Sequence, residues 1–260
     1  MTTVVAQYLP GTSPLHRLDP RVKIVASVAL AIALFTRHSY VVLGLYAAVV
    51  AVSLIVSGLP PRVVWRALRP ALALIVITFL VQLFFASGTP LAEWGPFHIT
   101  AQGIELAVFL SVRLLLLVLI GLLLTVTTAP VPLTDGLAWL MRPLSWLKVP
   151  TEEIALMVTI ALRFVPTLIV ELQAITMAQR ARGARFGSGS PLRRARALIP
   201  VLVPLFVISF KRADELATAM EARCYEPGVR RTRLHPMHAG RLDAVAAIVV
   251  VAAIVAASLL

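Results

Sequence analysis

Four apolar runs follow one another in the first half of this chain, at about residues 22–36, 39–58, 70–86 and 104–129, and a fifth closes it at 242–260. Most are close to the ~20 residues that an α-helix needs to cross a bilayer core of roughly 30 Å. In hydrocarbon every backbone N–H and C=O must be paired internally, which makes the helix the natural form of such a run. Composition agrees, with 59% apolar and only 14% charged residues and a mean hydropathy of +0.91, whereas soluble domains carry about 25% charged residues. The expected fold class is an all-α integral membrane protein of about five transmembrane helices. A cytoplasmic region of long amphipathic helices is inserted before the last span.

Polar punctuation divides the runs. The lead-in, residues 1–21, carries the turn signals Pro10-Gly11 and Ser13-Pro14. Asp19-Pro20 reads as an N-cap followed by proline at the first helical position. The first run is short, so Lys23 and Arg37 are expected to snorkel from its ends. Only Arg37 and His38 separate it from the second, which predicts a tight helical hairpin. Pro60-Pro61 ends the second run, a connection carrying Arg62, Arg66 and Arg69 follows, and Pro70 opens the third. The loop from Ser87 to Gly103 has no Lys or Arg, and Trp94 suits an interfacial position there. The lead-in and the second connection are basic while the first and third hold only Arg37, so the N-terminus is expected in the cytoplasm and the C-terminus outside.

From residue 130 to 241 the composition changes, and sixteen of the 24 cations lie there. Leu133, Leu137, Leu140, Leu144 and Leu147 recur at helical spacing with Trp139 and Trp146, which predicts a short amphipathic helix on the inner membrane surface, interrupted by Pro143. Thr151-Glu152-Glu153 is an N-cap candidate followed by acids that complement the helix dipole. A helix from there to Arg182 would run about 48 Å and bend at Pro166. A second long helix is expected from Pro191 to Arg223, beyond the Gly187-Ser188-Gly189-Ser190 break. Both are apolar enough to be read as a transmembrane hairpin. Charge decides against it, because Arg180, Arg182, Arg185, Arg193, Arg194 and Arg196 would then all lie outside. The domain division is therefore 1–129 in the membrane, 130–241 cytoplasmic, and 242–260 in the membrane.

Few residues offer chemistry. The net charge of +12 fits the basic loops of a membrane protein better than a nucleic-acid surface. None of the three lysines, Lys23, Lys148 and Lys211, follows a glycine, so the chain has no P-loop. His235 and His238 are loosely spaced around Pro236 and lack a third ligand, so no metal site is expected. Arg113 lies inside the fourth run, and the simplest reading is that it faces the bundle and pairs with a carbonyl or with Glu105. Lys211, Arg212, Asp214 and Glu215 read as a solvated cluster with i,i+4 support. No catalytic constellation emerges.

One short pattern occurs twice. Ala181-Arg182-Gly183 ends the first long helix and Ala222-Arg223-Cys224 ends the second, with the arginines 41 positions apart. Ala178 and Ala219 lie four positions upstream of them. A small-residue face ending in a fixed cation suits docking into a groove of a partner protein. A cation at a helix C-terminus followed by glycine is also ordinary capping chemistry. At this level the two readings stand side by side.

With these residues in view, the chain resembles the transmembrane T component of energy-coupling factor (ECF) transporters, the EcfT/CbiQ-like family. The lead-in from Tyr8-Leu9-Pro10-Gly11 to His16-Arg17-Leu18-Asp19-Pro20-Arg21 is similar to that family's opening, and the paired Ala-Arg-Gly signature is its best-known motif. The second copy departs from it, with Cys224 where glycine is usual. The resemblance implies a non-enzymatic membrane scaffold in a bacterial inner membrane. It would hold two ABC-type ATPase subunits, which bind the ATP and Mg, and a small membrane S component that captures a vitamin or a cobalt or nickel ion. Ala181, Arg182, Gly183, Ala222, Arg223 and Cys224 would be the ATPase-coupling residues. A self-sufficient secondary transporter is the alternative within transport, and it would bind substrate alone. A membrane-embedded transferase would need acids or histidines converging on one membrane face, which the sequence lacks.

Overall fold

The computed structural model describes residues 8–85, 89–94, 97–147, 149–184, 186, 190–228 and 240–259. Its helices are α1 (Pro14–Arg17), α2 (Pro20–Ala33), α3 (Tyr40–Ser57), α4 (Pro61–Phe85), α5 (Ala101–Thr127), α6 (Pro130–Met141), α7 (Thr151–Ala181), α8 (Pro191–Glu221) and α9 (Arg241–Leu259). Proline at the first helical position starts α1, α2, α4, α6 and α8, where its missing N–H costs nothing. Asp19 caps α2 by accepting the Arg21 N–H, and Thr100 caps α5 by accepting that of Gly103. Gly58 ends α3 at φ +64°, the left-handed conformation that glycine adopts freely.

This is an all-α integral membrane protein. Five helices are long and apolar enough to cross a membrane, namely α3, α4, α5, α7 and α9. The number is the expected one, but one member differs. At 14 residues, α2 reaches only ~21 Å, while α7 qualifies by length and composition. The expected loop before α5 contains a two-stranded antiparallel hairpin, β1 (Pro90–Trp94) with β2 (Phe97–Thr100), which pairs Glu93 with His98 and Trp94 with Phe97.

The chain divides into two compact units, Met1–Leu140 with His235–Leu260 and Met141–Leu234. The first is organised around α5. Phe109, Arg113, Leu116, Ile120, Leu123 and Thr127 are buried along it at alternating spacings of four and three, the signature of a helix face turned inward. Leu30, Ala33 and Leu34 from the α2 end, Val42, Leu43, Tyr46 and Val50 of α3, and Ala257 of α9 complete this core. By contrast, α4 packs on α5 yet buries no residue fully, leaving its apolar side free for lipid.

Three expectations for this unit are corrected. First, α2 and α3 are not a tight hairpin. The chain turns at residues 34–36, and the main neighbours of α2 are α5 and α9 while those of α3 are α1, α5 and α9. A cleft of about 300 Å³ lies between them, lined by Ala26, Leu30, Val49, Val52 and Val56 among others. Second, Lys23 does not snorkel. It is buried and donates to the carbonyls of Thr127 (3.0 Å) and His16 (3.3 Å). Its neighbour Asp19 donates its backbone N–H to Asp243, which also accepts from Gly240, so lead-in, α5 and α9 are tied together at one end. Third, Arg62, Arg66 and Arg69 lie on the exposed side of α4 itself, which begins at Pro61 and continues through Pro70. The proline removes one intrahelical bond, to the Arg66 carbonyl, and α4 continues past it.

Arg113 pairs with a carbonyl, as the simpler reading had it. Its guanidinium donates to the Arg37 carbonyl at 3.0 Å and lies over the rings of Phe109 and Phe35. Arg37 in turn donates to the Ser258 carbonyl near the end of α9. In α6 the buried residues are Thr134, Gly136 and Ala138. A Cβ on Gly136 would meet Ile24 Cδ1 at 2.8 Å, so small residues let α6 approach α2. Leu137, Trp139 and Leu140 remain exposed.

The second unit holds a 3₁₀ segment (Arg142–Leu147), α7 and α8. The interruption falls at Pro143, as its ring dictates. The cap of α7 shifts by one position. Pro150 is the N-cap and Thr151, buried, is the first helical residue, leaving Glu152 and Glu153 in the first turn. The helix runs without a break through Pro166, and α8 likewise through Pro200 and Pro204.

Candidate functional site

Three polar contacts fix how α7 and α8 lie against each other. Glu153 accepts the Gly228 N–H at 2.8 Å, Glu171 pairs with Arg212, and Gln179 donates to the Pro200 carbonyl at 3.4 Å. Partners that rise in number on α7 fall on α8, so the pair is antiparallel. Proline explains one of these contacts. Pro204 has no N–H to give the carbonyl four residues back, which is that of Pro200. Gln179 of α7 supplies the missing donor.

Antiparallel packing places the two arginine motifs at opposite ends. Extending the register of these contacts, Arg182 stands opposite the stretch near residue 200 and Arg223 opposite the stretch near residue 158. The ends are therefore separated by about 33–36 Å along the pair, at 1.5 Å per residue. The sequence brings the motifs into the same hairpin but not into one site.

Their backbones are nearly the same. At the first end Gly183 has φ +89°. Its N–H bonds to the Arg180 carbonyl at 2.9 Å and the Ala184 N–H to that of Gln179 at 3.0 Å. At the second end Cys224 has φ +56°. Its N–H bonds to the Glu221 carbonyl at 2.9 Å and the Tyr225 N–H to that of Met220 at 3.0 Å. Each is a Schellman motif with a left-handed residue at C′ and the arginine immediately before it. Capping thus accounts for the backbone at both ends and leaves the arginine side chains without an assigned task.

Those side chains are exposed, as are Ala178, Ala181, Ala219 and Ala222. Among the described residues neither the Arg182 nor the Arg223 guanidinium has a hydrogen-bond or ion-pair partner. Arg180, one position from the first motif, lies over Phe186. Each end therefore presents a strip of alanines terminating in an uncommitted guanidinium, a surface suited to an apolar groove with an acidic rim.

The expected solvated cluster divides. Lys211 and Glu215 form an exposed i,i+4 pair at 4.0 Å. Arg212 instead turns inward to Glu171 and over Phe164. The sequence carries one clue to that pair, for Glu171 and Arg212 are also 41 positions apart. No three metal-ligating side chains lie together among the described residues. His235 and His238 lie outside them.

Comparison with known proteins gives a consistent result. A family described as cobalt transport protein, CbiQ, matches residues 11–235. The energy-coupling factor transporter transmembrane protein EcfT of Ruminiclostridium cellulolyticum is 45% identical over 242 residues, covering 92% of this chain and 90% of that protein. Those of Thermosediminibacter oceani (44% over 239 residues, 92% and 90%) and Acidaminococcus fermentans (42% over 248 residues, 95% and 92%) are similar.

Proposed function

This chain belongs to the EcfT/CbiQ-like family of ECF transporter transmembrane components, and from that premise we propose that it is the scaffold subunit of an ECF-type importer. In this reading it couples ATP hydrolysis by two partner ABC-type ATPase subunits to substrate movement through a small membrane S component. One observation supports the reading above the others. Two equivalent arginine-capped ends, Arg182 and Arg223, sit at opposite ends of one antiparallel helix pair. Two like docking points a few tens of ångströms apart suit two like partners.

The proposed division of labour follows from the residues. Arg182 and Arg223 pair with acidic groups lining a groove on each ATPase. The alanine strips seat in the groove, and the Schellman caps hold the arginines at fixed angles to the helix axes. ATP and Mg bind to the partners, and this chain performs no chemistry of its own. The hairpin of α7 and α8 lies on the cytoplasmic side, where its arginines obey the charge asymmetry of inner-membrane proteins. With α2 and the turn at residues 34–36 as a short first span, and α3, α4, α5 and α9 as the other four, the N-terminus lies on the same side and the C-terminus outside.

The test is a detergent pull-down with the tagged chain from its native membrane. Capture of two ATP-binding-cassette chains with a small hydrophobic protein is expected. Arg182→Glu and Arg223→Glu should each lose ATPase capture or coupled uptake while the chain still inserts. Unchanged capture and uptake in the double variant would remove the docking role.

A further inference from the structure

The Glu171–Arg212 ion pair has a position that its chemistry alone does not require. It lies 11 residues before Arg182 on α7 and 11 residues before Arg223 on α8. Because the helices are antiparallel, these are two arms of equal length, about 16 Å each, pointing in opposite directions. The 41-residue offset that relates Arg182 to Arg223, Ala181 to Ala222 and Ala178 to Ala219 also relates Glu171 to Arg212. A residue that contacts its own counterpart lies on the twofold axis of the arrangement. The pair therefore marks a local pseudo-twofold axis of the hairpin.

Its surroundings distinguish it from general adhesion. The other two polar ties of the pair among the described residues, Gln179 to Pro200 and Glu153 to Gly228, are exposed and nearer the ends. The central pair is shielded, with side chains 30% and 21% exposed and the guanidinium over Phe164. Glu171 Oε2 and Arg212 Nη1 are buried without a hydrogen-bond partner among the described residues. A half-satisfied shielded pair is a poor way to add stability, and the best-attested use of such a pair is to fix register. Apolar side chains along two long helices tolerate a slide of one turn far better than an ion pair does.

We infer that Glu171 and Arg212 are positioning residues for docking, the fixed pivot that keeps the two arginine ends equidistant and in register. The inference rests on the docking function proposed above. With the pivot in place, a displacement at one end is transmitted about a fixed centre to the other. Without it, part of the motion is lost as sliding between the helices.

Spin labels on Ala178→Cys and Ala219→Cys in a Cys224→Ser background measure this in the full chain in lipid nanodiscs. The labelled positions lie about 21 Å apart along the pair. One distance population is expected with Glu171 and Arg212 intact. Glu171→Ala should add a second, displaced by about one turn, ~5 Å, and Glu171→Arg with Arg212→Glu should restore the single one. A single unshifted population in Glu171→Ala overturns the pivot, as does failure of the reversed pair to restore it. If Glu171→Ala does not insert, Glu171→Gln and the reversed pair decide in the same way. In the complex, Glu171→Ala should retain ATPase capture and lose uptake, whereas Arg182→Glu loses capture. Intact capture in the arginine variants removes the docking reading while the distances still judge the pivot.

Discussion

Replacing Cys224 by glycine should stabilise the second helix end. Cys224 is the only non-glycine residue with positive φ among the described residues, and its side chain is exposed. An L-residue in the left-handed region costs roughly 1–2 kcal/mol from the clash of Cβ with the backbone. Glycine removes that strain but frees the unfolded chain, which returns about 0.4–1 kcal/mol. The net gain for Cys224→Gly is then about 0.5–1 kcal/mol, with no packing term to offset it. The reverse change at the first end, Gly183→Cys, should cost a similar amount, since nothing lies within 4 Å of a Cβ there. The assay is amide hydrogen exchange of the full chain, read on peptides covering Cys224 and Tyr225, whose N–H groups close the cap. Local opening free energy sets the exchange rate. Cys224→Gly should slow exchange about two- to fivefold, and Gly183→Cys should speed it at Ala184 by a similar factor. If both substitutions change exchange in the same direction, or neither changes it, the cap is not held by the conformation described and the equivalence of the two ends fails.

Further outcomes follow from the same geometry. Arg113→Met should destabilise the first unit by about 1–2 kcal/mol, because the Arg37 carbonyl loses its part-buried charged donor, and thermal denaturation in detergent would register it as a lower midpoint. An unchanged midpoint would mean that water replaces the guanidinium at no cost. Gln179→Leu should weaken the α7–α8 pair by about 0.5–1 kcal/mol, read as faster exchange near the Pro200 end. That effect should vanish in a Pro204→Ala background, where the helix supplies its own donor to Pro200, and persistence there would refute the orphan-carbonyl argument.

Local chemistry made much of this structure legible. Asp19-Pro20 announces the start of α2, Gly183 announces a helix end, and Pro143 marks where α6 gives way to a 3₁₀ segment. The two arginine motifs were visible too, because a helix end followed by a residue with positive φ is a short-range event. What escaped was decided at longer range. Nothing local in residues 22–58 says that α2 and α3 prefer α5 and α9 to each other. Arg212 beside Lys211 and Asp214 looks solvated until the opposing helix supplies Glu171 and Phe164. Arg62, Arg66 and Arg69 read as a loop because Pro70 follows, although a proline beyond the first turn can be absorbed when the carbonyl it strands is exposed. The β1–β2 hairpin was missed because its few residues carry little alternation between the turn signals around them.

The cleft between α2 and α3 has a consequence for how this protein is handled. Its rim residues Val52, Val56, Val245 and Val249 are exposed, so it opens outward from the unit. In a bilayer an apolar recess that opens outward is accessible to acyl chains, and a chain seated there would serve as part of the interior. The first unit so completed would be an assembly of protein and lipid. Stripping its lipids removes packing material from between two helices, just as truncating a buried side chain would, and a detergent with a short tail replaces only part of it. Measurements of this unit's rigidity therefore depend on the length of the hydrocarbon supplied with it.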